Sequence, residues 1–267
     1  METGRRLRVA RILRPRTNRA VIIAIDHGNY AGPMRGLEDP TRAVRAAVNG
    51  GADAVIVNIG TLRKVHADLG GRMGIILRID GGHTLVNPDK RQNSVLTGTV
   101  ELASQVGADA VVVMGYVGSE RETESLATLG QVASSCSREG LGLVAEMLPV
   151  DPLNKPAYGN VELAARVGSE IGADVIKTYY TGSPESFSRV VRGCLCPVVA
   201  LGGEKMDSSE RVLEVAEAAV KAGGAGVAFG RNVWQSDNPE GMVRALVEIV
   251  HEGKSANETS SRLRKRQ

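Results

Sequence analysis

Lys177 has unusual surroundings for a lysine, because it stands within an apolar run. Ala-Asp-Val-Ile precedes it and Thr-Tyr-Tyr follows it, a pattern that predicts a short buried strand. A charged lysine is costly there unless it is paired or neutral. Burial and neighbouring cations lower a lysine pKa, and a neutral amine can attack a carbonyl carbon to form a Schiff base. The alternative is an ion pair with Asp26 or Glu146 that serves stability alone.

Glycines end the last two predicted strands. The seventh strand ends in Gly202 and Gly203, and the eighth ends in Gly230, which Arg231 follows. Backbone N–H groups at such turns hold phosphate groups in barrel enzymes, and a guanidinium adds a fixed forked donor. The glycines can instead merely turn the chain, although two such ends on adjacent strands favour an anion site. A phosphate anchor beside a buried lysine predicts a phosphorylated carbonyl substrate.

Further acid, base and hydroxyl groups follow other predicted strands. Asp26 can carry protons during carbinolamine formation or orient the lysine. His27 can relay protons, or it can be a loop histidine bonded to backbone. Glu146 and Tyr116 stand at the ends of the fifth and fourth strands, within reach of the same cavity, and Tyr179 is a candidate for substrate binding. His66 and His251 fall on predicted helices, where we expect surface positions.

A repeated three-residue phrase marks the elements that must position these side chains. Gly-Ala-Asp stands at residues 51–53, 107–109 and 172–174, and Gly-Ala-Gly stands at 224–226. Each phrase follows a stretch with helical periodicity and precedes a short apolar run. The glycine ends the helix in the left-handed conformation. The run that follows is apolar on both faces, as in parallel strands buried between helices.

Four more apolar runs, at residues 20–26, 74–80, 141–147 and 197–203, bring the predicted strands to eight. Strands alternating with helices predict an α/β fold, here a single (β/α)8 TIM barrel with its active site at the strand C-termini. An open doubly wound sheet needs a G-x-G-x-x-G turn where this chain has AIDHGNYAGP. We predict a basic N-terminal capping helix within 1–19, the barrel over 20–253 and a loose, polar, basic tail over 254–267.

The composition excludes several other classes of protein. No apolar run approaches the roughly 18 residues of a membrane span. The three cysteines are too few and too irregular for a disulfide framework, which favours reduced thiols and a cytoplasmic location. Arginines crowd both ends of the chain, yet the net charge is only +3, so solvated ends are favoured over nucleic-acid binding. Motifs for a metal or an organic cofactor are absent, so the sequence predicts neither.

Five stretches of this chain carry a resemblance to a known family: AIDHGNYAGPMRGLEDP, LTGTVELASQVGADAV, GADVIKTYYTGSPESFSRVVRGC, PVVALGGEK and AGGAGVAFGRNVWQ. The chain resembles the DeoC/FbaB/LacD-type class I aldolases, in the group of archaeal-type fructose-bisphosphate aldolase and 2-amino-3,7-dideoxy-D-threo-hept-6-ulosonate synthase. The resemblance implies a Schiff base at Lys177, acid–base chemistry at Asp26 and rings of five or ten copies. It implies phosphate binding by Gly202, Gly203, Gly230 and Arg231.

One departure from the family pattern falls at the end of the fifth strand. Relatives usually have Tyr-Pro-Arg-Gly there, with the tyrosine as general acid–base, whereas this chain has AEMLPVD with Leu148 in the tyrosine position. A leucine cannot transfer a proton. The proton must then come from Glu146, Tyr116, Tyr179, His27 or water. Glu146 is our first choice, because it lies two residues back and points to the same side of the strand.

These features together predict a class I aldolase that forms or cleaves a C–C bond of a phosphorylated ketose. The donor would be of the dihydroxyacetone phosphate type, and the partner an aldehyde such as aspartate semialdehyde or a sugar aldehyde. The alternatives are a transaldolase-like 2-amino-3,7-dideoxy-heptulosonate synthase, a fructose-bisphosphate aldolase and a thiolase-like relative. A remote alternative is an inactive barrel that binds a sugar phosphate.

Overall fold

Eight parallel strands close into a barrel, which confirms the predicted fold. The computed structural model describes residues 2–87, 92–151 and 157–265. The barrel strands are β1 (Ala20–Ala24), β2 (Ala54–Val57), β3 (Gly74–Arg78), β6 (Ala110–Val117), β7 (Gly142–Pro149), β8 (Val175–Tyr179), β9 (Val198–Leu201) and β10 (Gly226–Phe229). Their order around the barrel is β1-β10-β9-β8-β7-β6-β3-β2. Two further strands, β4 (Asp80–Gly81) and β5 (Val95–Leu96), form an antiparallel pair beyond β3 that the sequence did not predict.

Helices surround the barrel and return the chain to its N-terminal end. They are α1 (Glu2–Ile12), α2 (Gly28–Ala31), α3 (Pro40–Gly50), α4 (Ile59–Leu69), α5 (Val100–Gln105), α6 (Glu122–Glu139), α7 (Val161–Ile171), α8 (Pro184–Gly193), α9 (Ser209–Lys221), α10 (Arg231–Trp234), α11 (Pro239–Glu252) and α12 (Ala256–Lys265), with a 3-10 turn at Tyr158–Asn160. Gly51 and Gly172 end α3 and α7 with φ of 83° and 112°, the left-handed caps expected of the repeated phrase. No helix in the described ranges is long and apolar enough to cross a membrane.

Two apolar layers fill the molecule, one inside the barrel and one between the strands and the helices. Ile22, Ile56 and Ile76 belong to the inner layer, where small and branched side chains fit the narrow barrel. Ile12 and Leu13, at the end of the N-terminal segment, join this layer and are almost fully buried. The N-terminal segment therefore closes the N-terminal end of the barrel, and the opposite end stays open for a site.

The aspartates of the repeated phrase hold neighbouring strands together at the closed end. Each carboxylate accepts a hydrogen bond from a backbone N–H of the preceding barrel strand: Val21 to Asp53 at 2.7 Å, Ile75 to Asp109 at 3.0 Å and Leu143 to Asp174 at 2.7 Å. The fourth copy has Gly226 instead, with φ of 118°. A Cβ there would lie 1.9 Å from the carbonyl oxygen of Ala20, so the backbone is too close for any side chain.

Arginines of the N-terminal segment bind the same aspartates. Their side chains contact three different strands of the barrel: Arg5 to Asp174 at 2.8 Å, Arg11 to Asp109 at 2.5 Å and Arg14 to Asp53 at 2.8 Å. Arg11 and Arg14 are solvated as expected, with 61% and 41% of their side chains exposed, whereas Arg5 is 22% exposed. Their charge is matched by carboxylates of the barrel itself.

Two expectations for the C-terminal part of the chain require correction. The His251 side chain is only 4% exposed, and its Nε2 lies 2.7 Å from Asp53 while its Nδ1 lies 2.9 Å from the Thr17 hydroxyl. It faces the closed end of the barrel because α11 packs beside β1. The described part of the tail, residues 254–265, is not loose but forms α12, which buries Leu263 against α9 and α11. Ser255 starts this helix by accepting the backbone N–H of Glu258.

Candidate active site

A cavity of about 880 Å³ lies at the C-terminal ends of the barrel strands. All ten candidate site residues line it: Asp26, His27, Tyr116, Glu146, Lys177, Tyr179, Gly202, Gly203, Gly230 and Arg231. The sequence placed them at the ends of six different strands, and closure of the barrel brings those ends together.

Lys177 lies at the bottom of this cavity, in the middle of β8. The residue is 5% exposed, and its Nζ lies 2.7 Å from Oε1 of Glu146. Glu146 is its direct neighbour on β7 in the strand register. The lysine is therefore both buried and ion-paired. An ion pair with Glu146 is also what we expected if Lys177 served the stability of the fold alone. Its position inside an open cavity nevertheless leaves the nitrogen accessible to a small ligand.

Arg78 is the central residue of the site that sequence reasoning missed. Its side chain is 3% exposed and lies at the end of β3, where its guanidinium contacts three carboxylates. Nε donates to Asp26 at 2.8 Å, Nη1 donates to Asp80 at 2.9 Å, and Nη2 donates to Glu146. The signal was present in the sequence, because GIILRID places an arginine inside an apolar run just as ADVIKTYY places a lysine.

Asp80 binds the Arg78 guanidinium and is itself held by two further hydrogen bonds. Its Oδ2 accepts the Ser94 hydroxyl at 2.7 Å and the backbone N–H of Met114 at 2.9 Å. The β4–β5 pair brings Ser94 to this position. A carboxylate with all its oxygens engaged holds the guanidinium in one orientation. The orientation of Arg78 then fixes the positions of Asp26 and Glu146.

The two carboxylates beside Lys177 are held in their charged forms. Burial alone would raise the pKa of Asp26, but Arg78, Lys177 and His27 outweigh it and lower this pKa from 3.8 to about 2. Burial likewise opposes ionisation of Glu146, and Lys177 and Arg78 overcome it, so its pKa is lowered as well. Glu146 is therefore suited to accept a proton and to stabilise a neighbouring cation. This geometry does not favour the proton-donor role that we expected for it.

His27 forms part of the cavity wall beside Asp26. Burial lowers its pKa more strongly than Asp26 raises it, so the neutral ring is favoured. Nδ1 lies 3.6 Å from Oδ1 of Asp26, and among the described residues this nitrogen has no hydrogen-bond partner. The ring contacts Trp234 edge-on and Tyr30 at a tilt, with centroid separations of 5.3 and 5.8 Å. Both contacts fix its orientation toward the cavity.

Phenol groups occupy the side of the cavity where the family tyrosine is missing. Leu148 is paired with Tyr116 in the register of β7 and β6, and both line the cavity. The Tyr116 hydroxyl donates to the Met114 sulfur at 2.7 Å. Burial raises the pKa of Tyr116 and that of Tyr179. These phenols keep their protons at neutral pH and can donate them.

The glycine-rich ends of β9 and β10 form the opposite side of the cavity. Gly203 has φ of 62°, and a Cβ on Gly230 would lie 2.6 Å from the His27 ring, so both positions need glycine. Asn232 donates to the carbonyl oxygen of Gly202 at 2.8 Å, and Arg231 donates through Nη2 to that of Gly203 at 2.9 Å. The Arg231 Nε is buried and has no hydrogen-bond acceptor among the described residues. An unsatisfied cationic donor of this kind fits an anion.

Known proteins resemble this chain over nearly its whole length. An uncharacterized aldolase of Saccharolobus solfataricus is 31% identical, over 96% of this chain and 97% of the relative. A 3-hydroxy-5-phosphonooxypentane-2,4-dione thiolase of Yersinia pseudotuberculosis is 34% identical, over 96% of this chain and 85% of the relative.

Solved structures of archaeal fructose-1,6-bisphosphate aldolase share the fold. One has a TM-score of 0.82 and 32% identity, and the match covers 93% of this chain and 100% of that one. Another, with its catalytic lysine covalently bound to the carbinolamine intermediate, has the same TM-score and identity over 92% and 99% of the two chains. The family model described as DeoC/LacD family aldolase matches residues 20–236. The chain is therefore an enzyme of the DeoC/LacD aldolase family, whose members include Schiff-base-forming class I aldolases.

Proposed function

We propose that Lys177 forms an imine with the ketone of a phosphorylated donor of the dihydroxyacetone phosphate type, and that the enzyme joins this donor to an aldehyde or reverses that reaction. One observation carries the proposal above the others. The Lys177 nitrogen is 2.7 Å from an ionised carboxylate at the bottom of a cavity that is open to ligands. A lysine that served stability alone would gain nothing from facing a cavity of this size.

The charges around Lys177 suit both the resting and the reacting states. Glu146 can take one ammonium proton, which leaves a neutral amine that adds to the carbonyl carbon. Glu146 returns that proton to the hydroxyl group of the resulting carbinolamine, which leaves as water and gives a protonated imine. This imine carries the same positive charge as the original ammonium, so Glu146 stabilises it across the same short distance.

The protonated imine then serves as an electron sink for the carbon–carbon bond. Asp26, an ionised carboxylate that lines the same cavity, takes a proton from the carbon beside the imine, which gives an enamine, and that carbon adds to the aldehyde carbon. The aldehyde oxygen becomes an alkoxide and must receive a proton. Tyr116 and Tyr179 line the cavity with protonated phenols, so either can supply it. Water adds to the product imine and releases Lys177 for the next cycle.

The phosphate of the donor fits the ends of β9 and β10. β9 is the direct neighbour of β8 in the barrel, which places Gly202 and Gly203 beside the reacting lysine. The Nε–H of Arg231, which has no acceptor among the described residues, and the exposed backbone of Gly203 offer donors to phosphate oxygens. A donor anchored there can present its ketone to Lys177 on the neighbouring strand.

Borohydride trapping tests the proposal directly. The enzyme is incubated with dihydroxyacetone phosphate, reduced with sodium borohydride and mapped by mass spectrometry after proteolysis. We expect a single reduced adduct on Lys177, no adduct in Lys177→Met and an unchanged yield in Lys64→Met, which alters an exposed lysine. Absence of the adduct on Lys177 would refute the imine. Turnover of a phosphorylated diketone only when a thiol is added would identify thiolase chemistry instead.

Assembly and location complete the proposal. We propose a cytoplasmic homo-oligomer of five or ten copies. Large exposed leucines on α1 and before β9 support association, because Leu7 and Leu195 are 61% and 60% exposed. Light scattering of the purified enzyme measures the number of copies. A monomer across the micromolar range would contradict the assembly.

A further inference from the structure

The barrel order places the two ends of a bound donor on opposite walls of the cavity. Going round from β10 through β9, β8 and β7 to β6 takes four steps of eight, so β10 and β6 face each other across the barrel. The anion site lies at β9 and β10, and Lys177 lies between them and β6, on β8. A donor held by its phosphate therefore directs its reactive carbon away from β10. The second substrate must approach from the wall formed by β6, by β7 and by Val150 directly after it.

That opposite wall is apolar and phenolic. Met114 and Tyr116 come from β6, Leu148 comes from β7 and Val150 follows it, and all four line the cavity. Leu148 is partly exposed, although it stands in a strand, because its side chain faces the open cavity. Val150 is 6% exposed. A wall of this kind favours an apolar surface over a hydrated one.

Tyrosines are concentrated at this cavity to an unusual degree. The chain has five tyrosines, and every one of them lines it: Tyr30, Tyr116, Tyr158, Tyr179 and Tyr180. Tyr158 and Tyr179 meet edge to face, with ring centroids 5.3 Å apart and an interplanar angle of 64°. This is the geometry in which aromatic rings attract each other, and a third ring can join the same arrangement.

Each Lys or Arg side chain that lines the described part of the cavity already has a partner or a role away from the apolar wall. Four Lys and Arg side chains line its described part. Arg78 is bound by three carboxylates, and Lys177 is the reacting group. Lys205 donates to the carbonyl oxygen of Gln235, and Arg231 lies at the anion site on β10. In the described part of the wall formed by β6 and β7, no uncommitted Lys or Arg side chain faces the incoming aldehyde.

We propose that the second substrate is an uncharged aldehyde with an aryl or branched aliphatic group, which packs against Leu148 and the tyrosines. The inference rests on the proposed function, because it assigns the partner of the same reaction. Against the described part of this wall, a phosphorylated or carboxylated aldehyde would place its charge on leucine, valine and methionine, where none of the described Lys or Arg side chains is uncommitted. An aryl aldehyde would instead gain apolar contact area and edge-to-face ring contacts.

Steady-state kinetics with fixed dihydroxyacetone phosphate test the specificity. Benzaldehyde is compared with glycolaldehyde, D-glyceraldehyde 3-phosphate and aspartate semialdehyde as acceptors. We expect kcat/KM for benzaldehyde to exceed that for each of the others by about 10-fold or more. A preference of the wild-type enzyme for either charged aldehyde would overturn the inference.

Variants of Leu148 locate the effect on the wall. Leu148→Ser is expected to lower kcat/KM for benzaldehyde about 10-fold while the yield of trapped dihydroxyacetone phosphate stays the same. Leu148→Arg is expected to raise the relative use of D-glyceraldehyde 3-phosphate. Leu163→Ser is the matched control, because Leu163 is an exposed leucine on α7 outside the cavity. Equal kinetics in Leu148→Ser and Leu163→Ser would refute the placement.

A binding experiment keeps this test separate from the proposed chemistry. Saturation-transfer difference NMR is recorded with benzyl alcohol, an unreactive analogue of benzaldehyde. We expect transfer to the ring protons in wild type and Leu163→Ser and a loss of transfer in Leu148→Ser. If borohydride trapping fails but this pattern holds, the apolar subsite stands and the imine does not. If trapping succeeds but transfer to wild type is absent, the imine stands and the subsite does not.

Discussion

Replacement of Arg78 by methionine removes the one cation that three buried carboxylates share. Methionine has a similar length and no charge, so the change deletes the guanidinium with little change in packing. Asp26, Asp80 and Glu146 then keep only the Lys177 ammonium as a buried counter-charge in their network. We expect the variant to lose stability and, because Glu146 and Asp26 lose their fixed positions, to form the imine more slowly.

The expected size follows from the burial and the pKa of Asp26. Lowering this pKa from 3.8 to about 2 corresponds to roughly 2.5 kcal/mol of stabilisation at neutral pH, shared among Arg78, Lys177 and His27. Breaking a buried ion pair from one side typically costs about 3–5 kcal/mol, because the other charge stays buried. Three carboxylates are affected here. We therefore expect Arg78→Met to lose about 3–5 kcal/mol at pH 7.

The sign of the pH dependence gives a second check. A folded pKa below the unfolded value contributes stability above pH 3.8, and this contribution is lost as the pH falls toward 2. Wild type therefore keeps the Asp26 contribution between pH 7 and about pH 4. In Arg78→Met, burial dominates, the folded pKa of the carboxylates rises, and lowering the pH relieves the penalty. The stability difference between the two proteins should shrink from pH 7 to pH 4.

Urea denaturation followed by far-UV circular dichroism measures this difference at both pH values. Arg45→Met is the matched control, because Arg45 is 65% exposed and pairs only across the surface with Asp68 at 2.7 Å. A pair of that kind contributes about 1 kcal/mol or less. Equal losses in Arg78→Met and Arg45→Met would refute the buried network. A loss in Arg78→Met that is independent of pH would refute its electrostatic origin.

Three further predictions concern the anion site, the pH profile and the closed end of the barrel. Arg231→Gln should raise the half-saturating concentration of dihydroxyacetone phosphate about 10-fold or more in trapping experiments, with no effect on unphosphorylated dihydroxyacetone; equal effects on both ketones would count against the phosphate role. The rate of imine formation should show no acid limb from Asp26 between pH 7 and about pH 4, because its pKa is lowered to about 2. A limb in that range that disappears in Asp26→Asn would contradict this expectation. Gly226→Ala should fold poorly or lose several kcal/mol of stability, since the added Cβ would overlap the Ala20 carbonyl oxygen. Gly60→Ala on α4 is the control and should keep its stability, because the added Cβ would meet no atom within 4 Å. Thermal unfolding compares the two variants.

The fold could be predicted from the sequence because each element of the barrel has its own local sequence pattern. Each glycine cap, apolar run and helical stretch can be recognised alone, and eight repeats leave few topologies. The same local argument found Lys177. Applied to GIILRID, it would also have found Arg78. A local pattern could not have identified the partners of Arg78, since Asp26 and Glu146 lie 52 and 68 residues away along the chain.

Other features depend on contacts that no local pattern encodes. His251 looked like a surface residue, because its burial depends on Asp53, 198 residues earlier. The tail looked loose because most of its residues are polar. Yet Thr259 and Ser260 satisfy their hydroxyl groups on carbonyls of their own helix and are buried, so polarity did not mean exposure. The ionised state of Glu146 likewise follows from two cations, Lys177 and Arg78, that only the fold brings to it.

The concentration of tyrosines at the cavity also makes the molecule a natural optical probe of its own site. All five tyrosines line the cavity, and Trp234, the single tryptophan, contacts the His27 ring that lines it. The near-ultraviolet absorption and the intrinsic fluorescence of the chain therefore originate almost wholly from one end of the barrel. The two phenylalanines, Phe187 and Phe229, are fully buried and absorb weakly at these wavelengths. Spectral changes on adding a ligand thus report occupancy of the cavity without a label.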